Sequence, residues 1–139
     1  MSAEGPSKVE RTFYEAFSRL DLETMQRLWA EDADVSCIHP GGPLIQGKDG
    51  VIQSWGEIFT SASPPTIEYR VLSTRAAEDL AVHLVEERIR PSGERSAEAT
   101  RVLATNVYVV REGGWRMLAH HASLPLVGGS KGRPRGPLH

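Results

Sequence analysis

At Thr66 the chain changes its hydrophobic period, and that change does more than any other feature to limit the fold. Before it, apolar residues return every three or four positions; after it, they alternate. Val9, Phe13, Phe17 and Leu20 form one helical stripe, and Ser7 with Glu10 has the spacing of a capping box. Asp21 reads as the N-cap of a second helix carrying Leu22, Met25, Leu28 and Trp29 on one face. A third helix is predicted over 48–60, burying Val51, Ile52, Trp55, Ile58 and Phe59, and Pro64-Pro65 ends the helical region. Residues 66–76, 80–90, 97–110 and 115–124 are rich in β-branched and aromatic side chains and read as strands. Turn chemistry at Glu78-Asp79, Pro91-Ser92-Gly93 and Gly113-Gly114 separates them, as in an antiparallel meander. Helices first and strands last define an α+β architecture.

With 139 residues the chain has the length of one domain with a core of its own. The expected division is a flexible start over 1–7, a domain over 8–124 and a disordered Gly/Pro/basic tail over 125–139. Sixteen basic against eighteen acidic residues, a formal charge of −2, leave no footprint for nucleic acid. The single cysteine, Cys37, excludes an internal disulfide and a multi-cysteine metal cluster. Its neighbours Val35 and Ile38 point to a buried, inert thiol. No secretory signal opens the sequence, and no run approaches the ~18 apolar residues of a membrane span. A cytoplasmic protein without membrane contact is expected.

Two segments end in ionisable side chains where plain apolar filler would serve a core: 32–42, with Cys37 and His39-Pro40-Gly41-Gly42, and 106–123, with His120-His121-Ala122-Ser123. Gly113-Gly114 suits a two-residue type I′ hairpin, because both positions accept positive φ. That turn pairs Val110 with Met117, Tyr108 with Ala119, Asn106 with His121 and Ala104 with Ser123 on one side of the sheet. Val107, Val109, Leu118 and His120 then take the other side. A slip of one residue reverses the assignment. Asn106 can orient the His121 ring by bonding one nitrogen, leaving the other for a substrate or a proton. The same pair also reads as a buried histidine satisfied by its cross-strand amide.

Four pieces resemble the NTF2-like superfamily, in particular its SnoaL-like branch: the helix pair ending Asp21 to Ala33, the strand with His39-Pro40-Gly41-Gly42, Gln46-Gly47-Lys48-Asp49-Gly50-Val51 before the Trp55 helix, and the last strand from Gly114-Trp115-Arg116 to His121-Ala122-Ser123. The resemblance implies a cone, a strongly curved mixed or antiparallel sheet wrapped around three N-terminal helices, with a ligand pocket at its wide end. Relatives include ketosteroid isomerase, polyketide cyclases, dehydratases, epoxide hydrolases and proteins without chemistry, so fold does not settle function. The isomerase uses an Asp base with Tyr and protonated Asp donors. By motif matching the base's slot holds His39, the tyrosine's slot falls near Phe13 with Tyr14 one position away, and the acidic donor's slot falls near Asn106. Many SnoaL-like chains carry a histidine where this one has Ala119.

The resemblance implies a small-molecule pocket with His39 as general base and His121, held by Asn106, as acid or oxyanion donor. Trp55, Tyr14, Tyr108, Phe17 and Ser123 would line it, and the substrate would be small and apolar or polyketide-like, for an isomerase, cyclase or dehydratase. No cofactor is implied. A metal held by His39, His121 and His83 or Glu86 lacks a compact ligand motif such as HExxH. The alternative is a noncatalytic ligand-binding or assembly module. The resemblance implies a homodimer through the outer sheet face, with Val107, Val109, Leu118 and His120 as its patch. The charges on 86–90 read as ordinary surface.

Overall fold

A computed structural model describes residues 5–91 and 98–125. Outside the described residues lie 1–4 of the expected flexible start, the Ser92-Gly93 part of one expected turn, Ala97 at the expected start of a strand, and 126–139 of the expected tail.

Three helices precede the long strands: α1 (Gly5–Arg19), α2 (Leu22–Leu28) and α3 (Lys48–Thr60). Asp21 caps α2 as its sequence suggests, accepting from the Thr24 amide at 3.2 Å. The capping box at Ser7 does not form. Ser7 lies inside α1, whose first turn contains Pro6, where a missing N–H costs nothing. Glu10, the other half of that box, is turned inward and buried. Its position is the cause: Glu10, Phe13, Tyr14 and Phe17 follow the i, i+3, i+4, i+7 spacing of a single helix face.

Six strands among the described residues form one sheet in the order β2-β1-β6-β5-β4-β3. They are β1 (Ser36–Ile38), β2 (Leu44–Gln46), β3 (Thr66–Ala76), β4 (Leu80–Arg90), β5 (Thr100–Arg111) and β6 (Gly114–Ser123). The four long strands are the expected antiparallel meander. Short β1 adds to β6 in parallel and makes the sheet mixed. Phe13, Trp55, Phe17 and Phe59 pack edge-on or stacked between the helices and the sheet. Edge-to-face and offset arrangements of this kind suit the aromatic quadrupole.

The β5–β6 hairpin departs from expectation in a way that decides the site. The loop is Glu112-Gly113, with Arg111 opposite Gly114, so the pairing starts two residues out of the expected register. A bulge at Leu118, between the Tyr108–Met117 and Val107–Ala119 pairs, then shifts it by one. An extra residue on one strand re-aims every side chain beyond it. Asn106 therefore faces His120, Thr105 faces His121 and Leu103 faces Ser123. The expected Asn106–His121 and Ala104–Ser123 pairs do not exist. The expected outer patch changes too: His120 is interior, and Val109 and Leu118 pack against the core.

Candidate functional site

The interior face of the sheet carries a connected set of polar side chains supplied by α1, β4, β5 and β6. Ala81, His83, Val85 and Glu87 alternate inward along β4, and Asn106 and Tyr108 do so along β5. Glu10 and Tyr14 reach them from α1. Glu10 accepts three bonds: from Tyr108 Oη at 2.6 Å, Asn106 Nδ2 at 3.2 Å and His83 Nδ1 at 2.9 Å. Asn106 Nδ2 also donates to Tyr14 Oη at 3.1 Å, and Tyr14 donates to Glu87 Oε2 at 2.5 Å. Buried polar groups are costly unless paired, and here they pair with one another.

These bonds fix the direction of the rest. With the Asn106 amide nitrogen on Glu10, its Oδ1 faces His120 Nδ1 at 2.6 Å. An amide oxygen only accepts, so His120 carries its proton on Nδ1 and a lone pair on Nε2. Burial, with His39 and His121 nearby, pushes the His120 pKa down to about 3, so this ring stays neutral. Burial acts oppositely on Glu87. Desolvation outweighs the Tyr14 hydrogen bond, and the Glu10 charge adds to it, raising Glu87 to about 7. Burial likewise pushes the Cys37 thiol up to about 12, which leaves it an inert core group.

His39 sits at the edge of this interior, half-buried. It follows β1 directly and opens a tight turn in which its carbonyl accepts from the Gly42 amide at 2.8 Å, and Gly41 supplies the positive φ of 78°. Its ring stands edge-on to Trp55 at 4.7 Å between centroids. Ser54 uses its hydroxyl proton on the Val51 carbonyl at 2.7 Å, so toward His39 it accepts. The 2.9 Å contact is then His39 Nε2–H donating to Ser54 Oγ, which leaves Nδ1 as the basic atom. Burial lowers the His39 pKa, favouring the neutral imidazole.

Of the residues expected to act together, Asn106, Tyr14, Tyr108, Phe17, Trp55 and His39 are brought to the interior. His121 and Ser123 are not. His121 is exposed, touches Ser36 Oγ at 2.8 Å, and lines an outer groove of about 220 Å³ with Leu72, Leu84, Leu103, Thr105 and Ser123. His39 and His121 thus belong to opposite sides of the sheet, and a mechanism using the two together is excluded. The reason is the Leu118 bulge. The histidine metal set fails likewise: His83 is interior on Glu10, whereas Glu86 binds Arg70, Arg88 and Arg101 at the other face. Among the described residues no three His, Cys, Asp or Glu side chains are grouped to hold a metal.

Sequence reading missed Glu10, Glu87, His83 and His120 as interior groups. All but His120 carried a signal. Glu10 lies on the aromatic stripe of α1, and His83 and Glu87 share the inward alternation of Ala81 and Val85.

Three helices over an open, mixed six-stranded sheet, with a polar interior under α1, define an NTF2-like α+β cone. Within that class, the chain belongs to the SnoaL-like domain family, whose model matches residues 8–127. It is 33% identical to a candidate calcium/calmodulin-dependent protein kinase type II association domain from Thiobacillus denitrificans, with a TM-score of 0.81 over 87% of this chain and 95% of that one. A candidate dehydratase of the NTF2-like family from Streptomyces avermitilis is 30% identical, with a TM-score of 0.77 over 90% and 97%. The F-box protein SKIP8 of Arabidopsis thaliana is 30% identical over 119 residues, which are 86% of this chain and 49% of the relative. The chain thus spans about half the length of that curated relative. Family and fold together support a small-molecule-binding domain. Among the described residues no helix is long and apolar enough to cross a membrane.

Proposed function

We propose that the domain binds a small apolar or polyketide-like molecule in the cone and moves a proton on it, with His39 as general base. The observation that carries this reading is the state of His39. It is half-buried, neutral, fixed by Ser54 through Nε2, and has its Nδ1 lone pair free of any bond among the described residues. A base needs that accessible lone pair and a pKa near or below the working pH. Asn106 does not act as the acid in this scheme, because both its amide protons are engaged by Glu10 and Tyr14. It serves to hold His120 and the α1–sheet junction in place. The likeness to the Streptomyces avermitilis candidate dehydratase is consistent with such chemistry.

A test free of any assumed product is proton exchange. A panel of β-diketones, enones and polyketide-like esters in D₂O is followed by NMR for loss of α-proton signal. The wild type should accelerate exchange of at least one member, and His39→Ala should lose about 10²–10⁴ of that rate. The rate should hold at neutral pH and fall on acidification, through the lowered His39 pKa. No exchange above buffer, with no thermal stabilisation by any member, sinks the reading.

A second reading has its own support. The outer face exposes Leu72 and Leu84, about half accessible, around the groove that holds His121. Apolar surface of this kind marks association, and the likeness to the Thiobacillus denitrificans candidate association domain points the same way. On this reading two copies pair through that face. Sedimentation equilibrium should then give a dimer for the wild type and a monomer for Leu84→Glu; a monomeric wild type refutes it.

A further inference from the structure

On the outer face of the sheet, away from the cone, a charged groove adjoins an apolar one. The charged groove, about 240 Å³, is lined by Glu68, Tyr69, Arg70, Glu86 and Arg88. Glu86 is buried there, with Arg70 at 3.1 Å, Arg88 at 3.7 Å and Arg101 in contact. Arg70 and Arg101 hydrogen-bond its carboxylate, whereas half-exposed Arg88 makes no hydrogen bond among the described residues. Arg88 also stands directly across from Arg101 on β5, and like charges in that register are destabilising. One carboxylate cannot satisfy three guanidinium forks of five donors each. Glu68, across from Arg88 on β3, is the second acid, so three arginines and two glutamates leave one positive charge over. Arg90, two residues on, has a partner of its own. The neighbouring groove, about 220 Å³, is walled by Leu72, Leu84 and Leu103. Leu103 lies directly across from Glu86, and Leu84 stands two residues before Glu86 on the same strand face.

We propose that these two grooves together bind a single-chain amphiphile with a carboxylate head, a fatty-acid-like anion, its head on Arg88 and its chain along Leu84, Leu103 and Leu72. One carboxylate supplies the missing negative charge, and its two oxygens match a guanidinium fork. The chain covers leucines otherwise left to water, Leu72 at 48% and Leu84 at 44% exposed. From Arg88 to Leu84 is ~13 Å along β4 at ~3.3 Å per residue, roughly the length of a ten-carbon chain. Glu86 is already buried and bonded by Arg70 and Arg101, so a chain passing beside it takes little water from it. A neutral alcohol would leave Arg88 without its acceptor, and a dianion would exceed the charge to be met. The site lies across the sheet from His39 and stands apart from any ligand in the cone. A second copy of the chain on the same leucines is the competing occupant.

The test uses the full chain, labelled at leucine methyls, arginine Nε and indole nitrogens, titrated by NMR at neutral pH with decanoate, decanol and acetate below micelle formation. Decanoate should move the Leu72 and Leu84 methyls and the Arg88 Nε–H together, and bind about tenfold tighter than decanol or acetate, the value of one charge-assisted hydrogen bond. Arg88→Gln should weaken decanoate about five- to tenfold and leave decanol unchanged. Glu68→Gln removes the acid that competes for Arg88 and should tighten decanoate about twofold, a gain that a purely structural role would not give. Equal binding of decanoate and decanol, or decanoate affinity indifferent to Arg88→Gln, overturns the proposal. So do shifts confined to the Trp55 indole, which would put the chain in the cone. A dimer whose leucine methyls ignore decanoate gives the face to a second copy and overturns it too.

Discussion

Replacing Glu10 by alanine is expected to cost the domain about 3–5 kcal/mol, the loss seen when one member of a buried polar pair is removed. For a chain of this size that is a fall in melting temperature of roughly 10–15 °C. The carboxylate is 2% exposed and receives Tyr108, Asn106 and His83. Truncation leaves three buried donors facing nothing, and each unmet group costs about 1–3 kcal/mol before the site relaxes or admits water. Glu10→Gln should lose less, because the amide oxygen still accepts, while its NH₂ must turn toward one of the former donors. Arg111 with Asp32 gives the contrast. That pair ties the end of β5 to the segment after α2 and holds Asp32 below the usual carboxylate range, but it is solvent-exposed. Exposed ion pairs contribute little, so Asp32→Asn should be far milder. Urea unfolding of the three variants checks the ranking, and a Glu10→Ala protein as stable as Asp32→Asn would show that the interior network is not what joins α1 to the sheet.

The same network explains why the fold was legible from sequence and the site was not. Elements fixed by nearby residues came through: the Asp21 cap, the Lys48–Thr60 helix, and the strands Thr66–Ala76 and Leu80–Arg90. The family resemblance, carried by the Asp21 to Ala33 helix pair, the His39 strand, residues 46–51 before the Trp55 helix and the last strand, holds. The placement of His120 against His121 depended on one extra residue at Leu118, which no local pattern announces, since bulges are set by how β6 must bend between β5 and β1. Shifting a register by one residue exchanges the two faces of a strand. Asn106 was therefore found correctly as a histidine partner and matched with the wrong histidine. Glu10 and Glu87 were misread for another reason. A glutamate is almost never buried alone, and the partners that make its burial tolerable lie seventy or more residues away. Only the sums of two local patterns, the α1 stripe and the β4 alternation, point to the same interior.

Opposed titrations of Glu87 and His120 should give the wild type a flat stability between about pH 4.5 and 6.5 from these two groups, and each single variant a slope of its own sign. Glu87 is raised from 4.5 to about 7. As pH climbs through that window the unfolded chain releases the proton and the folded chain keeps it. Stability is then fully present below 4.5 and lost by pH 7, by about 3 kcal/mol. His120 is lowered from 6.5 to about 3. As pH falls through that window the unfolded chain gains a proton that the folded chain refuses, so stability is lost on acidification, on the order of 5 kcal/mol. Where the windows overlap, folded and unfolded chains bind equal numbers of protons at these two sites and the slopes cancel. Glu87→Gln, which still accepts from Tyr14, leaves the histidine alone, and its stability should fall steadily as pH drops below 6.5. His120→Gln, which can still donate to Asn106, leaves the glutamate alone, and its stability should rise as pH drops from 7 to 4.5. Contributions from His39, Asp21, Asp32 and Glu86 are common to all three proteins and vanish from the differences. Urea unfolding free energies across this range decide it: diverging slopes of opposite sign support a neutral, hydrogen-bonded interior, and three parallel curves would mean that neither group is held in its neutral form by the fold.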